Sequence, residues 1–195
     1  MLRYVKGTRN LKLIYRASRQ LVSRTESIEA LTSRRLIGYA DSDFANDVDD
    51  HKSVSGYMFM LNGNTISWWS KNRTHRVATS TLEAELHAVS YTSKHLIWLQ
   101  EALHELRPCT MEKQDKPLLF GDNQGTLNMI RDQKINDLTK HLAVKFHHVR
   151  NLVYEQDCFD LQYIPTSANL ADICTKGLAR QIYEKLRDNC GISLL

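Results

Sequence analysis

The chain has 195 residues, with 26 Lys and Arg against 22 Asp and Glu, 42% hydrophobic content, 8 Gly and 3 Pro. That length suits one domain with an appendage, large enough to bury a core without disulfides or a structural metal. No apolar run approaches the roughly 20 residues of a membrane span and no apolar signal block opens the chain, so a membrane or secreted protein is not expected.

Taken in chain order, the charge divides unevenly. Residues 1–35 hold nine basic groups against Glu26 and Glu29, while the rest hold 17 against 20. A basic arm leading into a slightly acidic globule suits a polyanionic partner, with a solvated amphipathic helix as the plainer reading. Residues 2–22 alternate apolar and basic positions, and 23–35 are rich in Ser and Thr without apolar periodicity, as a linker would be. Leu36 to Ala40 is a short apolar run that reads as a buried strand stopping at Asp41, followed by an acidic loop with Asp43, Asp47, Asp49 and Asp50. Ser55 to Leu61 and Thr65 to Ser70 read as strands of a hairpin across Asn62, Gly63 and Asn64. Ser80 or Thr81 can cap a helix over about 82–106. A second buried strand, Pro117 to Gly121, stops at Asp122. Helices over about 124–131 and 139–154, a strand over 159–164 and a helix from Asn169 complete the order. Strands and helices in that order imply an α/β domain with a mixed, partly antiparallel and partly parallel sheet.

Three features of this pattern carry chemistry. Asp41 and Asp122 each follow an apolar strand, and ligands of open α/β sheets gather outside such strand ends, although Asp is also an ordinary loop residue there. On the long helix each residue turns about 100°, which places Glu85 on the stripe of Leu82, Leu86, Val89, Leu96 and Leu103, with Glu83 on the opposite, solvent side. A carboxylate on a core-facing stripe calls for a cation, a capping box or a buried salt bridge. Asp172, between Ala171 and Ile173, is the fourth acidic candidate. An oxygen-only set of this kind favours Mg²⁺ or Mn²⁺ over zinc. Cys109, Cys158, Cys174 and Cys190 are widely spaced, and none makes a close ligand pair beside His141, His147 and His148. The thiols are therefore expected to be reduced and intracellular.

The ordered motifs Tyr39-Ala-Asp41-Ser-Asp43, Lys52-Ser-Val-Ser-Gly56-Tyr57, Ile66-Ser-Trp68-Trp-Ser-Lys71, Ser80-Thr-Leu-Glu83-Ala-Glu85, Gly121-Asp122-Asn-Gln124, Thr139-Lys-His141 and Leu170-Ala-Asp172-Ile-Cys-Thr-Lys176 resemble copia-type LTR retrotransposon ribonuclease H domains over residues 36–180. Leu2 to Thr8 resembles the end of the reverse transcriptase part of the same polyprotein. The resemblance implies a ribonuclease H-like fold, a mixed five-stranded sheet flanked by helices, in 36–180, with 1–35 as polymerase connection plus linker and 181–195 as a C-terminal tail. It implies a metal-dependent endonuclease that cuts the RNA strand of RNA/DNA hybrids during reverse transcription. Two Mg²⁺ or Mn²⁺ ions would be held by Asp41, bridging both, Glu85 and Asp122 on the leaving-group side, and Asp172 on the water side. Lys71, Ser80, Asn123, Gln124 and His141 are candidate substrate contacts. The implied partners are the hybrid and the upstream polymerase domain, with neither a membrane nor a small-molecule cofactor, in an intracellular setting such as a cytoplasmic virus-like particle or the nucleus.

The sequence departs from that family's pattern at three places. Leu142 and Ala143 follow His141 where an apolar residue and an Asp are usual, Gly177 stands for a proline, and Gln162 occupies the position of a loop histidine found in many cellular ribonucleases H. No polymerase signature is present, since Asp49 and Asp50 lack a flanking apolar strand. A catalytically silent remnant that only binds nucleic acid or packs on a polymerase is the competing expectation.

Overall fold

The computed structural model describes residues 6–16, 36–44, 53–72, 80–106, 116–132 and 142–194. The acidic loop beyond Phe44, the linker and His141 lie outside these described residues. The elements are β1 (Leu11–Leu13), β2 (Leu36–Asp43), β3 (Val54–Leu61), β4 (Asn64–Asn72), α1 (Thr81–Glu105), β5 (Leu118–Gly121), α2 (Gln124–Asp132), α3 (Ala143–Arg150), β6 (Asp160–Tyr163), α4 (Asp172–Thr175), α5 (Arg180–Asn189) and β7 (Ile192–Leu194). A π-helical turn, Asn151–Glu155, prolongs α3.

The main sheet has the order β4-β3-β2-β5-β6, antiparallel across the first three strands and parallel from β2 through β5 to β6. The hairpin forms because Asn62 and Gly63 both take positive φ, 51° and 72°, the two-residue turn whose twist matches the flanking strands. Asn64 already belongs to β4. Two apolar clusters lie on the two faces of the sheet. One gathers Phe59, Leu86, Val89, Leu96, Leu119, Phe146 and Phe159, bringing α1 and α3 onto one face. The other gathers Ile37, Tyr39, Met58, Phe120, Leu170, Leu186 and Cys190 under α4 and α5. This is the expected mixed five-stranded sheet flanked by helices.

Several boundaries differ from the expected ones for identifiable reasons. β2 does not stop at Asp41 but runs to Asp43, because its ladder with β3 continues through the pairs Asp41 with Gly56, Ser42 with Ser55 and Asp43 with Val54. The helix expected from Asn169 is short: a 3-10 turn at Thr166–Ala168 precedes Asn169, and α4 holds four residues. Glu83 is buried rather than solvent-facing, since Glu83, Ala84, Glu85 and Leu86 are all buried in succession at the start of α1. Within the expected C-terminal tail, Leu186 and Cys190, one helical turn apart, are buried in the second cluster, and β7 pairs antiparallel with β1. No described helix is long and apolar enough to cross a membrane.

Candidate metal centre

Parallel pairing of β2 with β5 sets Ile37 beside Leu118 and Tyr39 beside Phe120. Carrying the same register two residues further brings Asp41 level with Asp122, which stands just past the end of β5. From the other side α4 lays Asp172 over the same strand end. One carboxylate oxygen from each of Asp41, Asp122 and Asp172 lies within 4.8 Å of the other two. Asp41 is 0% exposed and Asp172 3%.

Local contacts hold α4 there. The fully buried Asn169 donates from Nδ2 to the Ala40 carbonyl at 3.1 Å, and its Oδ1 accepts from the Ala171 N–H at 3.1 Å. Asn169 thus ties the entry of α4 to the residue preceding Asp41. The Thr175 hydroxyl donates to Asp41 Oδ2. Lys176 Nζ sits 2.9 Å from Asp41 Oδ1 and 2.9 Å from Asp172 Oδ1.

Glu85 enters from near the start of α1, 5% exposed. Burial, reinforced by Asp41 and then Asp122, pushes its carboxyl up to about 9. Burial likewise raises Asp172; the Lys176 hydrogen bond opposes the rise and Asp41 adds to it. Burial alone would lower Lys176, but the Asp41 charge and the hydrogen bonds to Asp172 and Asp41 outweigh it and keep the ammonium charged.

The donor set fits a hard divalent cation. Every carboxylate donor is oxygen, two of the three triad members are buried, and the pocket already draws a side-chain cation between Asp41 and Asp172. Glu85 stands outside the triad yet near enough for Asp41, Asp122 and Asp172 all to perturb it.

The other expected contacts are distributed around this centre. Ser80 caps α1, its Oγ accepting from the Glu83 N–H at 3.1 Å, and Asn123 Oδ1 accepts from the Thr126 N–H at 2.9 Å in the first turn of α2. Both therefore have structural work. Lys71 and Gln124 are exposed, and Lys71 stands opposite Ser55, itself opposite Ser42, on the strand end that carries Asp41. Gln162 is exposed within β6. Asn169, Thr175 and Lys176 were not among the expected site residues. The spacing of Lys176, one helical turn after Asp172, was the signal available for it.

No family model matches the chain. The retrovirus-related Pol polyprotein from transposon TNT 1-94 of Nicotiana tabacum is 33% identical over 192 residues, covering 98% of this chain and 13% of that polyprotein. Its counterpart from transposon RE1 of Arabidopsis thaliana is 30% identical over 193 residues, covering 99% of this chain and 12% of the relative. The chain therefore spans a small fraction of the length of these relatives. Among solved structures, LC11-RNase H1 in complex with RNA/DNA hybrid aligns with a TM-score of 0.52 at 16% identity, over 72% of this chain and 94% of that one. At that identity the likeness concerns the fold. Over nearly its whole length the chain is thus similar to one segment of retrovirus-related Pol polyproteins of plant transposons, and its fold is ribonuclease H-like.

Proposed function

We propose that this chain is a divalent-metal-dependent endonuclease that hydrolyses the RNA strand of RNA/DNA hybrids during reverse transcription of its element. The observation that carries this reading is the convergence of Asp41, Asp122 and Asp172 from two parallel strands and a helix, with the buried Glu85 beside them. Asp41, Glu85, Asp122 and Asp172 would hold two Mg²⁺ or Mn²⁺ ions. When bound, such ions polarise the phosphoryl oxygens, lower the pKa of water and stabilise the leaving oxygen of a phosphodiester.

The protein's own groups do the rest. Thr175 orients Asp41 through its hydroxyl, and Asn169 fixes the approach of α4. Lys176 offsets two of the four carboxyl groups in the metal-free protein. Lys71, exposed on the strand end that carries Asp41, and Gln124, exposed in the first turn of α2, are available to a polyanion lying across the site. The RNA/DNA hybrid named in the LC11-RNase H1 structure supports the choice of substrate for this fold. The 2′-hydroxyl is the chemical mark by which the RNA strand is told from DNA. The upstream polymerase of the polyprotein is the expected partner in delivering that hybrid.

The test is cleavage of an end-labelled RNA/DNA hybrid in Mg²⁺ or Mn²⁺, with DNA/DNA as control. Cutting of the RNA strand that chelation abolishes, and that Asp122→Asn reduces by at least about 100-fold, is the expected result. Salt-sensitive binding of the hybrid without turnover in either metal would instead make the chain a silent binding module.

A further inference from the structure

We infer that Gly56 and Thr175 are positioning residues that seat α4 on β3 and so set Asp172 against Asp41 for divalent-cation binding; the inference rests on reading the carboxylates as a metal centre. Gly56 lies directly opposite Asp41 in the ladder and is flanked on its other side by Ser70 of β4. Its φ is not in the left-handed region, so the backbone does not demand glycine. The demand is for space. A Cβ placed on Gly56 would stand 2.8 Å from Cys174 Cβ, 2.8 Å from Thr175 Cγ2 and 3.1 Å from the Trp69 carbonyl oxygen. Packed carbon atoms prefer about 3.5–4.0 Å.

None of the three atoms can yield cheaply. Cys174 Cβ is carried by the backbone of α4, and the Trp69 oxygen belongs to the backbone of β4. Thr175 could withdraw Cγ2 only by rotating about χ1, which would take its hydroxyl off Asp41 Oδ2. An added methyl must therefore displace α4 as a body, and Asp172, in the same single turn as Thr175, moves with it. The absence of a side chain at Gly56 lets α4 approach, and the Thr175 hydroxyl ties it to the buried Asp41. Nothing in the contact involves a group that itself touches substrate, so the role is one of positioning.

The experiment is calorimetric titration with MnCl₂ beside thermal unfolding in a chelator. It compares the wild type with Gly56→Ala, Thr175→Val, the double change Gly56→Ala with Thr175→Ser, and Gly177→Ala as the same added methyl in open space. Gly56→Ala and Thr175→Val are each expected to weaken Mn²⁺ binding by about 10- to 100-fold, as for other groups that orient metal ligands. The double change removes Cγ2 and keeps the hydroxyl, so it should regain part of the affinity lost by Gly56→Ala. Gly177→Ala should leave affinity as it is. A lower metal-free melting temperature with Mn²⁺ affinity kept within about twofold in Gly56→Ala and Thr175→Val would overturn the inference and leave both residues with a purely structural role. Should Gly56→Ala not fold, Thr175→Val decides alone, and undiminished affinity there is the overturning result. A wild type that takes up no Mn²⁺ is a different outcome: it removes the metal centre itself, and this inference with it.

Discussion

A carboxyl group buried at 5% exposure and facing three other carboxyl groups keeps its proton, and at Glu85 this has a measurable consequence. Burial, then Asp41 and Asp122, raises its pKa from 4.5 to about 9, so the folded protein holds a proton there that the unfolded chain has released by neutral pH. A raised folded-state pKa contributes stability that is whole below about 4.5 and is lost as pH climbs through about 9. Asp172, also raised by burial, contributes with the same sign. The metal-free protein is therefore expected to lose stability steadily from pH 5 to pH 9 in the presence of a chelator, and Glu85→Gln, neutral throughout, should flatten that decline. Urea denaturation at several pH values provides the measurement, and parallel profiles for wild type and variant would refute the assignment. Helical spacing alone located Glu85, because a carboxylate on an apolar stripe is a physical anomaly visible in one sequence. Lys176 was not legible in the same way: a lysine one turn from an aspartate is usually a solvated surface pair, and only the approach of Asp41 across 135 residues makes it a bridge.

At the scale of elements, two of the three departures fall at helix ends, the third, Gln162, lies within β6, and none replaces one of the four carboxylates. Ala143 is the first residue of α3, which has neither a side-chain cap nor an acidic residue in its first turn. Gly177 follows Lys176, the C-cap of α4, whose φ of −118° and ψ of 146° are those of a residue that precedes proline. A Cβ at Gly177 meets nothing within 4 Å. Gly177→Pro is accordingly expected to stabilise the protein by about 0.4–1 kcal/mol, by restricting the unfolded chain. A shift of the denaturation midpoint to higher urea at unchanged slope is the signature, and a lower midpoint would mean that the Gly177 backbone is needed elsewhere. The hairpin and α1 could be read from period and turn chemistry because each satisfies its backbone locally or with a sequence neighbour, and β2 and β5 from their short apolar runs. The short α4 could not, since its length is set by Asn169 binding Ala40 and by close packing at Gly56, both contacts between distant segments. The extent of β2 escaped for a related reason: Asp41, Ser42 and Asp43 are poor strand formers held in the ladder by β3.

Across the described residues of the whole molecule, β1 and β7, drawn from near opposite ends of the chain, meet away from the carboxylates. β1 and β7 form a two-stranded antiparallel sheet, Ile14 N–H donates to the Gly191 carbonyl at 2.9 Å, and the Thr65 hydroxyl donates to the Cys190 carbonyl at 2.9 Å. Asn64 closes the arrangement: its Oδ1 accepts from the Arg16 N–H at 2.9 Å and its Nδ2 donates to the Arg16 carbonyl at 3.0 Å. The Asn62–Gly63 turn lies at the Leu36 end of β2, opposite the Asp41 end, roughly 17 Å away at about 3.3 Å per residue. Residues 11–16, within the stretch expected to be polymerase connection plus linker, are thus fastened to the far end of the sheet from the carboxylate cluster, on the hairpin and on β7. Sparse apolar content hid this, since Leu186 and Cys190 acquire their burial only from the second core cluster. Asn64→Ala removes both hydrogen bonds to Arg16 and should free that segment without disturbing the carboxylates. The Arg16 amide is expected to exchange with solvent markedly faster, global stability to fall by about 1–2 kcal/mol, and Mn²⁺ affinity to stay unchanged. Unaltered exchange at Arg16 would show that β1–β7 pairing alone holds the segment, whereas a fall in Mn²⁺ affinity would show that the far end of the sheet is coupled to the site through β3.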